Sequence, residues 1–171
     1  MVLNMTEGGC SVVFKRFINS LRWISFMKAE VYREMSLLGS VISYSTVVLL
    51  ALAFKEFTLF FDLVLGLLIC LAVVWPVKYF FFRRRPDNTK YKSIIQKIDA
   101  SSFPSTHSAR SVLILLIIGG FFHSYSVYSI LAVLAFLNGF SRVYQKRHFV
   151  SDVLGGYAVG AVSFVLLTLL R

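Results

Sequence analysis

The chain has 171 residues, 18 Lys plus Arg against 8 Asp plus Glu, 57% hydrophobic and 16% aromatic content, and a mean hydropathy of +0.75. A soluble domain carries roughly a quarter charged residues, whereas this chain has 15% and holds its apolar residues in long unbroken runs, so a bilayer is the expected solvent and no second soluble catalytic domain is expected. The two cysteines, Cys10 and Cys70, have no partner pattern that would suggest a disulfide framework or a thiolate metal site, and a net charge of +10 in so apolar a chain points to anionic head groups and not to nucleic acid.

Residues 1–35 read as an N-terminal amphipathic basic segment. From Ser11 to Lys28, Phe14, Phe17, Ile18, Leu21 and Ile24 recur at helical spacing, with Lys15, Asn19 and Arg22 on another face, which describes a helix lying in the interface. Lys15, Arg16 and Arg22 oppose a crossing at this point, and the broken apolar run does not fit a cleavable signal peptide. The remainder, 36–171, reads as an all-α polytopic membrane helix bundle of about five transmembrane helices, with six possible if the first segment crosses. Ser36 to Phe54 is uncharged, and Phe57 to Val77 follows the short link Lys55-Glu56 and holds only Asp62. A basic loop from about Lys78 to Phe103 leads to a third helix opened by Pro104. A fourth is expected from about Tyr125 to Tyr144 and a fifth from about His148 to Leu170. Gly155, Gly156 and Gly160 give the last helix small-residue spacing suited to close packing. Asp62, at the far end from the basic loops, reads as an interfacial or satisfied carboxylate.

With five spans, the unusual polar residues fall on one face in three groups. The first is Lys78, six residues, then Arg85-Pro86. The second is Pro104-Ser105-Thr106-His107 at the start of the third helix, and the third is Ser141-Arg142, five residues, His148, three residues, Asp152. Pro104 suits a first helical turn, where the Ser105 and Thr106 amides could face an anion at the positive end of the helix dipole. Lys78, Arg85 and Arg142 bring three cations from separate segments. His148 and Asp152, four apart, share a helix face, so the carboxylate could orient the imidazole; with His107 this makes a nucleophile and a proton donor. Taken alone, Arg83, Arg84 and Arg85 read as a head-group anchor, and His123 as a surface residue. The joint occurrence of the three groups carries the argument.

The three groups resemble the motifs of the type 2 phosphatidic acid phosphatase superfamily, Lys-x6-Arg-Pro, Pro-Ser-Gly-His and Ser-Arg-x5-His-x3-Asp, with Thr106 standing where the family usually has Gly. The resemblance covers about Ser36 to the C-terminus and makes 36–171 a transmembrane phosphatase domain in an integral membrane protein of a prokaryotic plasma membrane. It implies hydrolysis of a lipid phosphate monoester or diphosphate through a phosphohistidine on His148, oriented by Asp152, with His107 protonating the leaving oxygen. Lys78, Arg85, Arg142, Ser105 and Thr106 would bind the phosphoryl oxygens, and no metal or other cofactor is implied. Phosphatidate, phosphatidylglycerophosphate, a polyprenyl diphosphate such as the undecaprenyl one and lipid A 1-phosphate all remain open as substrates. The alternative is a non-catalytic relative that binds phospholipid or carries an anion across the membrane. Under five spans, 16 of the 18 Lys and Arg lie with the motif loops and only Lys55 and Arg171 opposite. The positive-inside rule then puts the site at the cytoplasmic face, with the outer face as the alternative if Ser11 to Lys28 crosses.

Overall fold

The structure, a computed structural model, describes residues 30–37, 39–86 and 93–171. The interfacial helix expected between Ser11 and Lys28 therefore lies outside the described residues. Among the described residues seven helices follow in order: α1 (Glu30–Leu37), α2 (Val41–Ala53), α3 (Phe57–Phe80), α4 (Ile94–Ala100), α5 (Thr106–Phe122), α6 (Tyr125–Tyr144) and α7 (Val150–Leu169). By length and composition α3, α6 and α7 can each cross a membrane, and α1 with α2, meeting at 44°, can make a fourth crossing. At 17 residues α5 is shorter.

The outward surface is that of a membrane protein. Ile42, Phe61, Leu68, Ile130, Phe136 and Leu154 are each more than half exposed, which lipid tails tolerate and water does not. The core sits around α5, which packs against α7, α6 and α3. Leu63, Cys70 and Val74 of α3 meet Ala109, Leu113 and Ile117 of α5 there. Glycine sets the closest approach. A Cβ at Gly160 would stand 2.4 Å from the Ala109 carbonyl oxygen, and one at Gly156 2.4 Å from that of Ser105, so the small-residue spacing of the last helix serves packing. Asp62 pairs with Arg171 at 2.9 Å, at the end of the bundle away from the motif loops.

Four boundaries differ from the sequence reading. The first span is not continuous from Ser36: Gly39 passes so close to the His107 carbonyl and the Asn138 amide that a Cβ would clash, and Ser40 caps a new helix through the Ser43 amide. The helix α3 runs on to Phe80 and so carries Lys78 within it. Pro104 stays outside α5, whose cap is Ser105. A short helix not foreseen, α4, is capped by Ser93 inside the basic loop. Four termini meet at one end of the bundle: the C-termini of α3 and α6 and the N-termini of α5 and α7.

Candidate active site

At that end the extended segment 101–105 lies between the helix termini and is held from three sides. Lys78 Nζ donates to the Ser101 carbonyl at 2.9 Å. The Ser102 amide donates to the Arg83 carbonyl at 2.7 Å, and the Ser105 amide to the Asp152 carbonyl at 2.9 Å. Ser105 thus ties α5 to α7, while its hydroxyl accepts from the Ser108 amide and hydroxyl at the start of α5. This corrects the sequence reading, in which the Ser105 amide faced an anion. The open amides of the first turn are those of Thr106 and His107, because a helix leaves its first N–H groups without internal acceptors.

His148 and Asp152 come together, but not in direct contact. The distance from His148 Nδ1 to Asp152 Oδ2 is 3.9 Å, too long for a hydrogen bond. His148 Nδ1 lies 2.9 Å from the Ser102 carbonyl oxygen. A carbonyl only accepts, so Nδ1 carries the proton and Nε2 the lone pair. Asp152, fully buried, accepts from the Phe149 amide at 2.8 Å as a reach-back cap of α7. It also accepts from the Ser102 hydroxyl and from Arg83 Nη1 at 3.0 Å. Arg83 lies 4.1 Å over the Phe149 ring and donates to Ser151 at 2.7 Å. The carboxylate therefore acts on the imidazole through Ser102, and Arg83 is a partner of the site as well as a surface cation.

A cavity of about 420 Å³ opens beside these groups. Lys78, Arg85, Thr106, His107 and His148 line its polar side, and Val41, Leu71 and Trp75 line an apolar wall toward the bilayer. Arg85 donates to the Asp99 carbonyl at 2.5 Å, which joins α4 to the rim. His107 is set by its helix and by Asn138, whose side-chain amide donates to the His107 carbonyl at 3.3 Å. Arg142 is buried at the end of α6, and its carbonyl accepts from the Arg147 and His148 amides. Burial, followed by the charges of Arg142, Arg85 and Lys78, pushes the His148 imidazole down from its ordinary 6.5 to about 3. A neutral imidazole with a free Nε2, facing several cations across an open cavity, is suited to attack on a phosphoryl group.

The sequence pattern of the PAP2 superfamily matches residues 59–171. The chain belongs to the PAP2 superfamily. Phosphatidylglycerophosphatase B of Bacillus subtilis (strain 168) is 36% identical over 99 residues, which cover 53% of this chain and 47% of that one. The chain thus spans about half the length of this curated relative. Among solved structures, the PAP2 type phosphatidylglycerolphosphate phosphatase from Bacillus subtilis superposes with a TM-score of 0.64 at 29% identity, covering 83% of this chain and 75% of that one. LpxE of Aquifex aeolicus gives a TM-score of 0.70 at 22% identity, covering 83% and 86%, a likeness of fold. As a PAP2 member with this apolar surface, the chain is an integral membrane protein.

Of the eight site residues expected from the PAP2 motifs, Lys78, Arg85, Thr106, His107 and His148 line the cavity. Arg142 and Asp152 stand behind it, and Ser105 is a structural tie. Ser102 has no place in the sequence reading, and Arg83 stands there only as a head-group anchor, without its pairing to Asp152. Their partners lie 46 to 69 residues away, beyond any local spacing rule, and only the need of a buried carboxylate for a cation hinted at Arg83. His123 is exposed at the end of α5, as expected of a surface residue.

Proposed function

We propose that the protein is a lipid phosphatase whose nucleophile is His148. The observation that carries this reading is the bond between His148 Nδ1 and the Ser102 carbonyl, which leaves Nε2 unprotonated and available to the cavity. Nε2 attacks phosphorus in line, an N–P bond forms, and the bond to the leaving oxygen breaks as His107 delivers a proton to that oxygen. Water then attacks the phosphohistidine, His107 takes its proton, and phosphate and neutral His148 are released. Lys78 and Arg85, with the Thr106 and His107 amides, meet the charge on the equatorial oxygens, where phosphoryl transfer is chiefly stabilised, and Arg142 adds its positive field from behind the cavity. The apolar wall of Val41, Leu71 and Trp75 admits the tail of a substrate whose head lies at the interface. No metal takes part in this scheme.

The experiment is phosphate release from short-chain phosphatidate in detergent micelles by the full chain, with and without EDTA. Turnover that survives EDTA and vanishes in His148→Ala is expected. Near wild-type turnover in His148→Ala would remove the assigned nucleophile, loss in EDTA with recovery in Mg²⁺ would indicate a metal-dependent enzyme, and failure to release phosphate from any lipid would favour a binding or transport role.

A further inference from the structure

One buried cation has no place in that scheme. Arg110 follows His107 by three residues on α5, about 4.5 Å further along the axis and toward the bilayer interior. It lines the same cavity and is only 6% exposed. Its Nε meets no acceptor, and no carboxylate pairs with it, among the described residues. Lys78 and Arg85, by contrast, each hold a backbone carbonyl. A guanidinium kept at such depth without an anion is strongly unfavourable, so its natural complement is a charge delivered by the substrate.

The position says which charge. A lipid whose tail follows Leu71 and Trp75 brings its reacting phosphoryl to His148 and its leaving oxygen to His107, so the next group of the leaving portion falls beside Arg110. An acyl or prenyl carbon there would cover an unpaired cation, whereas a second phosphate would accept a bidentate guanidinium. Resting on the reading of the site as a lipid phosphatase, we propose that Arg110 forms a second phosphate subsite, which selects lipids carrying a further phosphate between the scissile phosphoryl and the tail. That phosphate is bonded directly, as in a diphosphate, or through a short polyol, as in a glycerophosphate head group. In the diphosphate case His148 Nε2 bonds to the terminal phosphorus, the bridging P–O bond breaks, and its electron pair stays on the lipid monophosphate. Arg110 then stabilises the leaving group as well as binding it.

The test compares kcat/KM of the full chain in micelles on two matched pairs: farnesyl diphosphate with farnesyl monophosphate, and dioleoyl phosphatidylglycerophosphate with dioleoyl phosphatidate. The wild type should prefer the two-phosphate member of at least one pair by about tenfold or more, and Arg110→Gln should remove that preference. Preference in the farnesyl pair alone assigns the directly bonded source, and in the dioleoyl pair alone the spaced one. Equal turnover within both pairs, or equal losses for one- and two-phosphate lipids in Arg110→Gln, overturns the subsite while leaving the phosphatase reading intact. Absence of phosphate release from all four lipids sinks both. Should Arg110→Gln not fold, inhibition of the wild type decides the matter: methylenediphosphonate should bind about tenfold or more tighter than methylphosphonate, and equal inhibition overturns the proposal.

Discussion

A carboxylate with no access to water must have its lone pairs met by protein donors, and at Asp152 those donors are the Phe149 amide, the Ser102 hydroxyl and Arg83. In the proposed reaction Ser102 is thereby a positioning residue, because its carbonyl fixes the His148 tautomer while its hydroxyl is fixed by Asp152. Ser102→Ala should lower kcat by roughly 10- to 100-fold with KM within a few-fold, since ring orientation matters in the transition state more than in binding. Ser102→Thr, which keeps the hydroxyl, should recover part of that loss; a fall in KM affinity without a fall in kcat would refute the assignment. A second consequence concerns pH. Burial holds His148 neutral to about 3, against an ordinary 6.5, so the folded state binds a proton less readily than the unfolded one. Stability is full above pH 6.5 and is lost as pH falls below it, by at most about 1.4 kcal/mol per unit. Thermal unfolding in detergent from pH 7.5 to 4.5 should show a shallower decline in His148→Gln than in the wild type. Parallel declines would mean that another group governs the loss. The motif residues were legible because their spacings are local along single helices or loops; Ser102 and Arg83 were not, because only the folded path of 101–105 brings them to Asp152.

The helices were legible for a simple reason: uncharged runs of about 20 residues in a bilayer have no alternative that satisfies the backbone. Their ends were less so. The break at Gly39 and Ser40 depends on the close passage of Gly39 to α5 and α6, and α4 depends on a seven-residue stretch with a Ser93 cap inside a loop that reads as generally basic. The contact of α5 with α7 has a further role, since Gly156 sits against the Ser105 carbonyl and the Ser105 amide is bonded to Asp152. Gly156→Ala should therefore push the α5 cap off α7, destabilise the fold by about 1–3 kcal/mol and reduce turnover together with it. Gly120→Ala is the matched control, because a Cβ there comes no nearer than 3.6 Å to the Tyr128 hydroxyl. Equal melting temperatures and activities for the two variants would show that α7 can shift without disturbing the site.

Across the whole chain, the positive charge is arranged by side. The described residues form an end that carries the cavity, the α4 loop and the α6–α7 turn, and an opposite end marked by the Asp62–Arg171 pair, with Lys55 in the α2–α3 link. If the α1–α2 pair, α3, α5, α6 and α7 each cross, 10 of the 12 Lys and Arg among the described residues belong to the cavity side, and only Lys55 and Arg171 to the other. Removing the cavity cations Lys78, Arg85 and Arg110, and Arg142 behind them, from the comparison does not alter its sign. The bias of Lys and Arg toward the cytoplasm then predicts an inward-facing site; Arg33 stays with the motif loops even if the segment from Ser11 to Lys28 crosses, since α1 places it beside Lys146 and Arg147. Lys146, exposed in the α6–α7 turn beside His148, and Tyr125, exposed at the start of α6, report the two sides. With Cys10 and Cys70 replaced, an impermeant maleimide applied to intact cells should label Tyr125→Cys and spare Lys146→Cys until the membrane is opened. The reverse pattern would place the cavity outside and make an outer-leaflet lipid its substrate.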